Sequence, residues 1–425
     1  MRQLHIMRLE HFDPLPVGVI EVSAEPSFRY LDSYLEAPGA TPLSASLPLR
    51  QEPYPEPDML PYFDGLLPEG PARTALTGEL QLPENDYLSM LEACGKECIG
   101  DVIISEKPLG HLKGSYKPID THRLVKLFAN EESVAEQNTA SRLSLAGTQT
   151  KTGLAHLPEA PVADGWLQPT GYAATTHILK TSHLRDVPEN EFLCMKAAKE
   201  CGIPTAEVAL LDKVNPILAV ERFDRSFNSC GKASFTVLRK HQEDMAQALG
   251  IKPSSKYAEL DGGTVRAIAS FLRKHSVKPA RDIVNFAKML CFSYAIGDCD
   301  AHLKNFSVIA EPGANAYAVS LSPAYDFVCT TVFERFSRDM AMGFGGTRPI
   351  DDVDRATFEQ LANDLGISTG ALADLARPIA ETLPKAISQA GSGAFGAVQE
   401  STPYIADDLL EDIAPRIEVL KAFCQ

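Results

Sequence analysis

The densest chemistry in the chain lies in Ile296-Gly-Asp-Cys-Asp-Ala-His-Leu-Lys-Asn305. Phosphoryl transfer calls for a carboxylate that orients or accepts the acceptor hydroxyl's proton, and for oxygen donors that hold magnesium. Asp300 and Asn305 are five positions apart, the spacing at which one loop presents a base and a metal ligand. Asp298 has no such partner, because five residues on stands Leu303, which carries no donor atom. The register therefore selects Asp300 as the base and leaves Asp298 a supporting role. A second metal-binding oxygen follows twenty-six residues after Asp300, where the apolar run Ala318-Val-Ser-Leu-Ser-Pro-Ala-Tyr leads into Asp326 and Phe327.

The pattern Asp300-x-His302-x-x-Asn305 is closer to the loop of lipid-type kinases than to the H-R-D form. Asp326-Phe327 looks like the D-F-G element whose Asp binds magnesium, with Val328 in place of the Gly. That replacement argues against a flip of this loop, but not against metal ligation. Lys180 closes the strand-like Thr176-His-Ile-Leu-Lys180 and is similar to the phosphate-contacting lysine of V-A-I-K. Glu191, or Glu189 just before it, would be its ion-pair partner on the following helix. Ala219-Val-Glu-Arg-Phe-Asp224 reads as a strand running into a connector, where backbone groups around Glu221 and Phe223 can hydrogen-bond adenine while the Phe223 ring stacks on it. Ser144-Leu-Ala-Gly-Thr-Gln-Thr-Lys-Thr152 is neither G-x-G-x-x-G nor a Walker A run, since Thr150 precedes Lys151 and only one glycine is present. Small residues with adjacent N–H donors still make a phosphate cradle, and Lys151 adds charge. Its hydroxyls and Ser144 are also candidate phosphorylation targets. A turn carboxylate, an exposed strand-end lysine, a solvated helix-start Glu and a core Phe are the ordinary readings of the same residues.

These groups need elements to position them. At 425 residues the chain is too long for one core. Residues 1–107 alternate in the strand manner and are dense in Pro and Gly, as expected for a small N-terminal α/β domain. A polar connecting segment, 108–142, follows. A strand-rich block over 143–240 carries the phosphate loop, Lys180 and the connector, and includes a helix over Glu189–Cys201 stopped by Gly202 and Pro204. From 241 to 425 the period turns helical, with helices predicted over Thr264–His275, Ala280–Ile296 and Arg355–Leu365. The expected class is α+β: a β-rich lobe followed by an all-helical lobe, the layout in which a nucleotide sits in a cleft.

Composition excludes several alternatives. The net charge of −16 argues against a surface-wide nucleic-acid footprint or adhesion to an anionic membrane. The N-terminal residues form no apolar targeting segment and no run reaches spanning length, so a cytoplasmic location is expected. Nine irregularly spaced cysteines do not form a disulfide framework. Cys94 and Cys98 lack the second pair or histidines of a zinc site and read as structural thiols.

Taken in order, SLAGTQTKT, TTHILK, VERFDR, QEDMAQALG, GDCDAHLKNFSV and PAYDF resemble the HipA family of bacterial serine/threonine kinase toxins. PLSASLPLR, FDGLLPEG and GKECIGDV are similar to that family's N-terminal domain, so the resemblance runs from about residue 15 to 345. It implies a two-lobed, protein-kinase-like HipA-type fold and an ATP- and Mg2+-dependent, non-specific serine/threonine protein kinase. In it Asp300 is the catalytic base, and Asn305 and Asp326 bind the metal. ATP meets Ala146, Gly147, Thr148, Gln149, Thr150, Lys151, Lys180, Glu221, Arg222, Phe223, His302, Lys304 and Tyr325. Ser144 takes the place of the family's inhibitory autophosphorylation site. The resemblance further implies a translation component, an aminoacyl-tRNA synthetase, as substrate, dormancy or persistence as outcome, and a helix-turn-helix antitoxin of the HipB type as partner. The acidic turn Ile350-Asp-Asp-Val-Asp-Arg-Ala-Thr-Phe358 argues against direct DNA contact, so operator binding is expected to run through the antitoxin. The competing readings are a small-molecule phosphotransferase of the antibiotic-kinase type, which shares the D-x4-N spacing but has no obvious counterpart to residues 1–107, and a non-catalytic binding module on the same fold.

Overall fold

The computed structural model describes residues 2–128, 131–141, 143–146, 151–182, 184–211, 216–229, 235–311 and 317–425. Two compact units result. One comprises Met1–Ser182, Ala219–Pro253 and Ile309–Tyr317; the other comprises His183–Leu218, Ser254–Val308 and Ala318–Gln425.

In the first unit, the strands Tyr54–Pro55, Ser27–Tyr30, Leu15–Val22, Arg2–Arg8 and Val102–Ser105 form one antiparallel sheet in that order. Leu4, Ile6, Val17, Ile20, Phe28 and Tyr30 project from it into a single apolar core, closed by Met59 and Phe63 of the helix Glu56–Gly65 and by Leu91 of the helix Tyr87–Cys94. Cys94 and Cys98 belong to this core, and burial pushes the Cys98 thiol up to about 12. A second sheet runs in the order Ile217–Glu221, His177–Lys180, Lys151–His156, Trp166–Gly171 and Gly114–Pro118. Its ladder sets Lys151 directly opposite Lys180.

A buried charge cluster joins these sheets. Glu97 follows the helix Tyr87–Cys94. Its Oε2 accepts from Arg239 Nη2 at 2.5 Å, and its Oε1 accepts from Arg225 Nη2 at 3.1 Å and from the Thr175 amide at 3.0 Å. Arg222 clasps Asp224 through Nε and Nη2 at 2.9 and 2.6 Å, while Arg225 Nη1 reaches the same carboxylate at 2.7 Å. Burial alone would raise the pKa of Glu97. The guanidiniums of Arg239, Arg225 and Arg222 outweigh it and hold the carboxyl well below the usual range.

The second unit is helical in bulk: Val187–Glu200, Thr264–His275, Pro279–Ile296, Arg355–Leu365, Thr369–Gly391 and Thr402–Phe423. The predicted helices over 264–275 and 355–365 match these bounds, and the helix expected over 280–296 begins one residue earlier, on Pro279. In Thr264–His275 the buried Val265, Ile268, Ala269 and Leu272 follow the helical period. The unit is not wholly helical. The strands Asp339–Phe344 and Thr347–Pro349 form a hairpin turned by Gly345 and Gly346, both at positive φ.

Helix Pro279–Ile296 starts on a proline and ends at Gly297, in the left-handed region at φ +75°. The Gly297 carbonyl accepts from the Thr330 and Thr331 amides at 3.1 and 3.2 Å, and a Cβ here would collide with Thr331 Oγ1 and the Arg416 guanidinium.

Two stability predictions follow from these contacts. Glu97→Gln leaves three buried arginines facing Asp224 alone and should cost about 3–5 kcal/mol in urea unfolding. Gly297→Ala combines left-handed strain with a clash and should cost about 2–3 kcal/mol in the same assay.

Candidate active site

The last two turns of Pro279–Ile296 are buried, from Met289 to Ile296, so the helix is a fixed rod that aims the loop leaving it. The Asp298 amide still donates to Ser293 O at 2.8 Å, and the Asp300 amide donates to Asp298 Oδ1 at 3.1 Å. A 3-10 turn, Leu303–Asn305, then closes reciprocally. The Asn305 amide donates to His302 O at 2.9 Å, and Asn305 Oδ1 accepts from the His302 amide at 3.2 Å. This leaves Asn305 Nδ2 to meet Asp326 Oδ2 at 3.0 Å. The predicted pair is thus in direct contact across twenty-one residues of chain.

Asp326 holds φ at +63°, a left-handed conformation rarely taken by a non-glycine residue. Its neighbours on both sides are anchored. The Tyr325 hydroxyl donates to Lys304 O at 2.7 Å and contacts Ser307 Oγ at 2.6 Å. Phe327 is buried against Phe292, with ring centroids 4.9 Å apart. Downstream, Asn190 Nδ2 donates to Cys329 O at 2.9 Å while the Cys329 amide donates to Asn190 Oδ1 at 2.8 Å. Asp412, on the C-terminal helix, accepts from Thr331 Oγ1 at 2.6 Å and pairs with Arg416.

Asp298 is buried. That burial, with the carboxylates of Asp300 and Asp326 next, pushes its pKa well above the ordinary value. Asp298 is therefore held toward its neutral form and lends its oxygen to the Asp300 amide. Cys299, buried beside it, donates its amide to Thr330 Oγ1 at 2.9 Å and accepts from the Ala341 amide through its carbonyl at 2.8 Å. A small side chain suits that closely bonded turn.

Asp300 itself accepts a hydrogen bond at Oδ1 from the Tyr257 hydroxyl at 2.8 Å. The Tyr257 ring stands edge-on to His302, with centroids 5.1 Å apart. No motif marks Tyr257 in the sequence, and neither does any signal mark Asn190. Glu189 and Glu191 both lie buried on helix Val187–Glu200; Ser401 Oγ donates to Glu189 at 3.0 Å.

In the first unit, Lys151 and Lys180 are cross-strand neighbours, an arrangement of like charges that favours an anion between them. The Arg222 amide donates to Thr176 O at 2.9 Å, whereas its side chain turns into the Glu97 cluster. The Arg222 side chain, expected at a nucleotide, is thus committed to this cluster, while Glu221 and Phe223 remain partly exposed. Gly147 to Thr150 lie outside the described residues. Ser144 is buried, its hydroxyl donating to Leu66 O at 2.7 Å and its amide to Glu97 O at 2.9 Å. In the acidic turn, Asp351 pairs with Arg338 at 2.6 Å, Asp354 caps the helix Arg355–Leu365, and Arg355 pairs with Glu359.

Among the described residues no three His, Cys, Asp or Glu side chains form a metal cage. Magnesium, however, typically takes one or two protein oxygens and completes its shell with phosphates and water. Asn305 and Asp326 fit that demand, and the repulsion among Asp298, Asp300 and Asp326 is what a divalent cation relieves.

No helix among the described residues is long and apolar enough to cross a membrane. Residues 11–105 match the HipA N-terminal domain and residues 143–387 the HipA-like C-terminal domain. Y4mE of Sinorhizobium fredii, which is named as a kinase, is 32% identical over 360 residues, covering 80% of each chain. The serine/threonine-protein kinase toxin HipA of Shewanella oneidensis is 27% identical over 346 residues, covering 77% of this chain and 76% of that protein. A Shewanella oneidensis MR-1 structure of the toxin–antitoxin system HipA, HipB and its operator DNA superposes with a TM-score of 0.81 at 23% identity, covering 99% of this chain and 98% of that one. By these matches over 11–105 and 143–387, and by the fold they share, the chain belongs to the HipA family.

Proposed function

We propose that the chain is an ATP- and magnesium-dependent serine/threonine-protein kinase, the toxin of a toxin–antitoxin pair. The observation that carries this reading is the contact of Asn305 with Asp326, held in a left-handed backbone and in the same loop system as Asp300. Asp300 accepts the proton of the acceptor hydroxyl, whose oxygen forms a bond to the γ-phosphorus while the bond to the ADP oxygen breaks. Asn305 and Asp326 hold the metal, which when bound neutralises charge on the phosphates. Lys151 and Lys180 supply positive charge to the phosphate groups, and the backbone of Glu221 to Phe223 reads the adenine. The Asn190 clamp on Cys329 and the buried Phe327 keep the Asp326 segment in one place, which argues for control elsewhere.

That control is assigned to Ser144. Phosphorylation removes the hydroxyl proton that now bonds Leu66 O and installs roughly −1.5 to −2 charge in a buried site. The segment must leave to accept it, taking the phosphate loop along. The substrate is a translation component, an aminoacyl-tRNA synthetase. The partner is an antitoxin of the HipB kind, which carries operator binding, since the turn at 350–358 keeps its acidic balance.

Transfer from labelled ATP into cell-extract protein, with phosphoproteomics after expression, tests the assignment. Asp300→Asn should lower incorporation by at least about 100-fold and relieve growth arrest. Asp326→Asn should do the same and resist rescue by added magnesium. Unchanged phosphosites and arrest in Asp300→Asn would sink the kinase reading, and labelling of small molecules in place of protein would redirect it. Separately, phospho-Ser144 protein should bind ATP more weakly than the dephosphorylated form in a titration; equal affinity and activity exclude the switch.

A further inference from the structure

Beside Asp300 the second unit has a cavity of about 520 Å3, lined by Tyr257, Cys299, Asp300, Phe336, Asp339 and Arg348 among others. Two of these are large aromatic side chains left in the open: Tyr257 is 44% and Phe336 39% exposed. An exposed ring beside the group that must meet substrate offers apolar area to whatever enters.

Tyr257 is held there by more than its own ring. Its hydroxyl donates to Asp300 Oδ1 at 2.8 Å and the ring stands edge-on to His302. Arg348 braces the backbone behind it, with Nη1 3.5 Å from Tyr257 O and Nη2 3.3 Å from Ala341 O. The loop ends in a mutual cap: the Thr264 amide donates to Glu259 Oε1 at 2.6 Å, and the Leu260 amide donates to Thr264 Oγ1 at 3.0 Å. The segment bearing Tyr257 is therefore tied to the start of helix Thr264–His275 and to the Asp339–Phe344 hairpin.

A carboxylate has two oxygens. With Oδ1 engaged by the Tyr257 hydroxyl, rotation of the Asp300 side chain is restricted and its carboxylate faces the cavity in one orientation. We propose that Tyr257 is a positioning residue for Asp300 and, through its exposed ring, one wall of the subsite that receives the serine- or threonine-bearing segment of the protein substrate. This rests on Asp300 being the base. The hydroxyl acts on the base and the ring acts on the peptide, so the two roles separate in kinetics.

The test uses the full chain with ATP and a library of serine-centred peptides. Tyr257→Phe keeps the ring and removes the donor. It should lower kcat about 5- to 10-fold, with KM for peptide and for ATP unchanged. Tyr257→Ala removes both and should lower kcat by a similar factor while raising peptide KM about 10-fold, again with ATP KM unchanged. Both variants should unfold at the wild-type urea midpoint, because the ring is half in solvent. Asp300→Asn run alongside separates the two assignments. If it is inactive while Tyr257→Phe matches wild type in kcat, positioning by Tyr257 is wrong and the kinase reading stands. If peptide KM in Tyr257→Ala is that of wild type, the subsite wall is wrong. If Asp300→Asn retains full activity, the base assignment fails and this proposal fails with it.

Discussion

Glu97 is the point on which the first unit turns. A single carboxylate accepts from Arg239, Arg225 and Thr175, while its own backbone carbonyl receives the Ser144 amide. It links the N-terminal sheet, the strand system bearing Lys151 and Lys180, and the connector after Glu221. Burying so many charges is costly, and the cluster holds because the Glu97 and Asp224 carboxylates each meet several donors. The geometry is correspondingly rigid. The segment 143–146 is tied to the cluster directly, through the Ser144 amide on Glu97 O.

The second unit solves a different problem, which is how to place carboxylates close together without a core of opposite charge. It does so with backbone. Gly297 lets the loop turn sharply off a buried helix and press against Thr330 and Thr331. The Asn190–Cys329 pair and the Tyr325–Lys304 bond then fix both sides of Asp326, so that its strained φ is imposed by its surroundings. Asp298 absorbs part of the electrostatic cost by being held toward neutrality.

Much of this was legible in the one-dimensional pattern. The five-residue interval from Asp300 to Asn305 reflects the reach of a single turn, and the strand Val319–Leu321 starts the return of the chain that brings Asp326 back to it. The helices at 264–275 and 355–365 show because their apolar residues repeat at the helical period. Other features depend on contacts between distant segments. Arg222 stands between Glu221 and Phe223 in the motif, yet its side chain turns into the ion cluster. Ser144 reads as an accessible hydroxyl in a polar stretch, and only the fold shows it buried under Leu66 O. Tyr257 lies in Ser254-Ser-Lys-Tyr257, where nothing local marks it, because its importance comes from a carboxylate forty-three residues away.

The C-terminal helix Thr402–Phe423 lies wholly beyond the family match that ends at residue 387, and it carries no residue of the proposed phosphotransfer set. Yet Asp412 holds Thr331, Arg416 packs where Gly297 must stay bare, and Ser401, just before that helix, reaches Glu189. A chain shortened to residue 387 would retain Asp300, Asn305 and Asp326 and lose the contacts that Asp412, Arg416 and Ser401 make behind them. The stretch of chain that holds these loops in place is therefore longer than the stretch that carries the motifs.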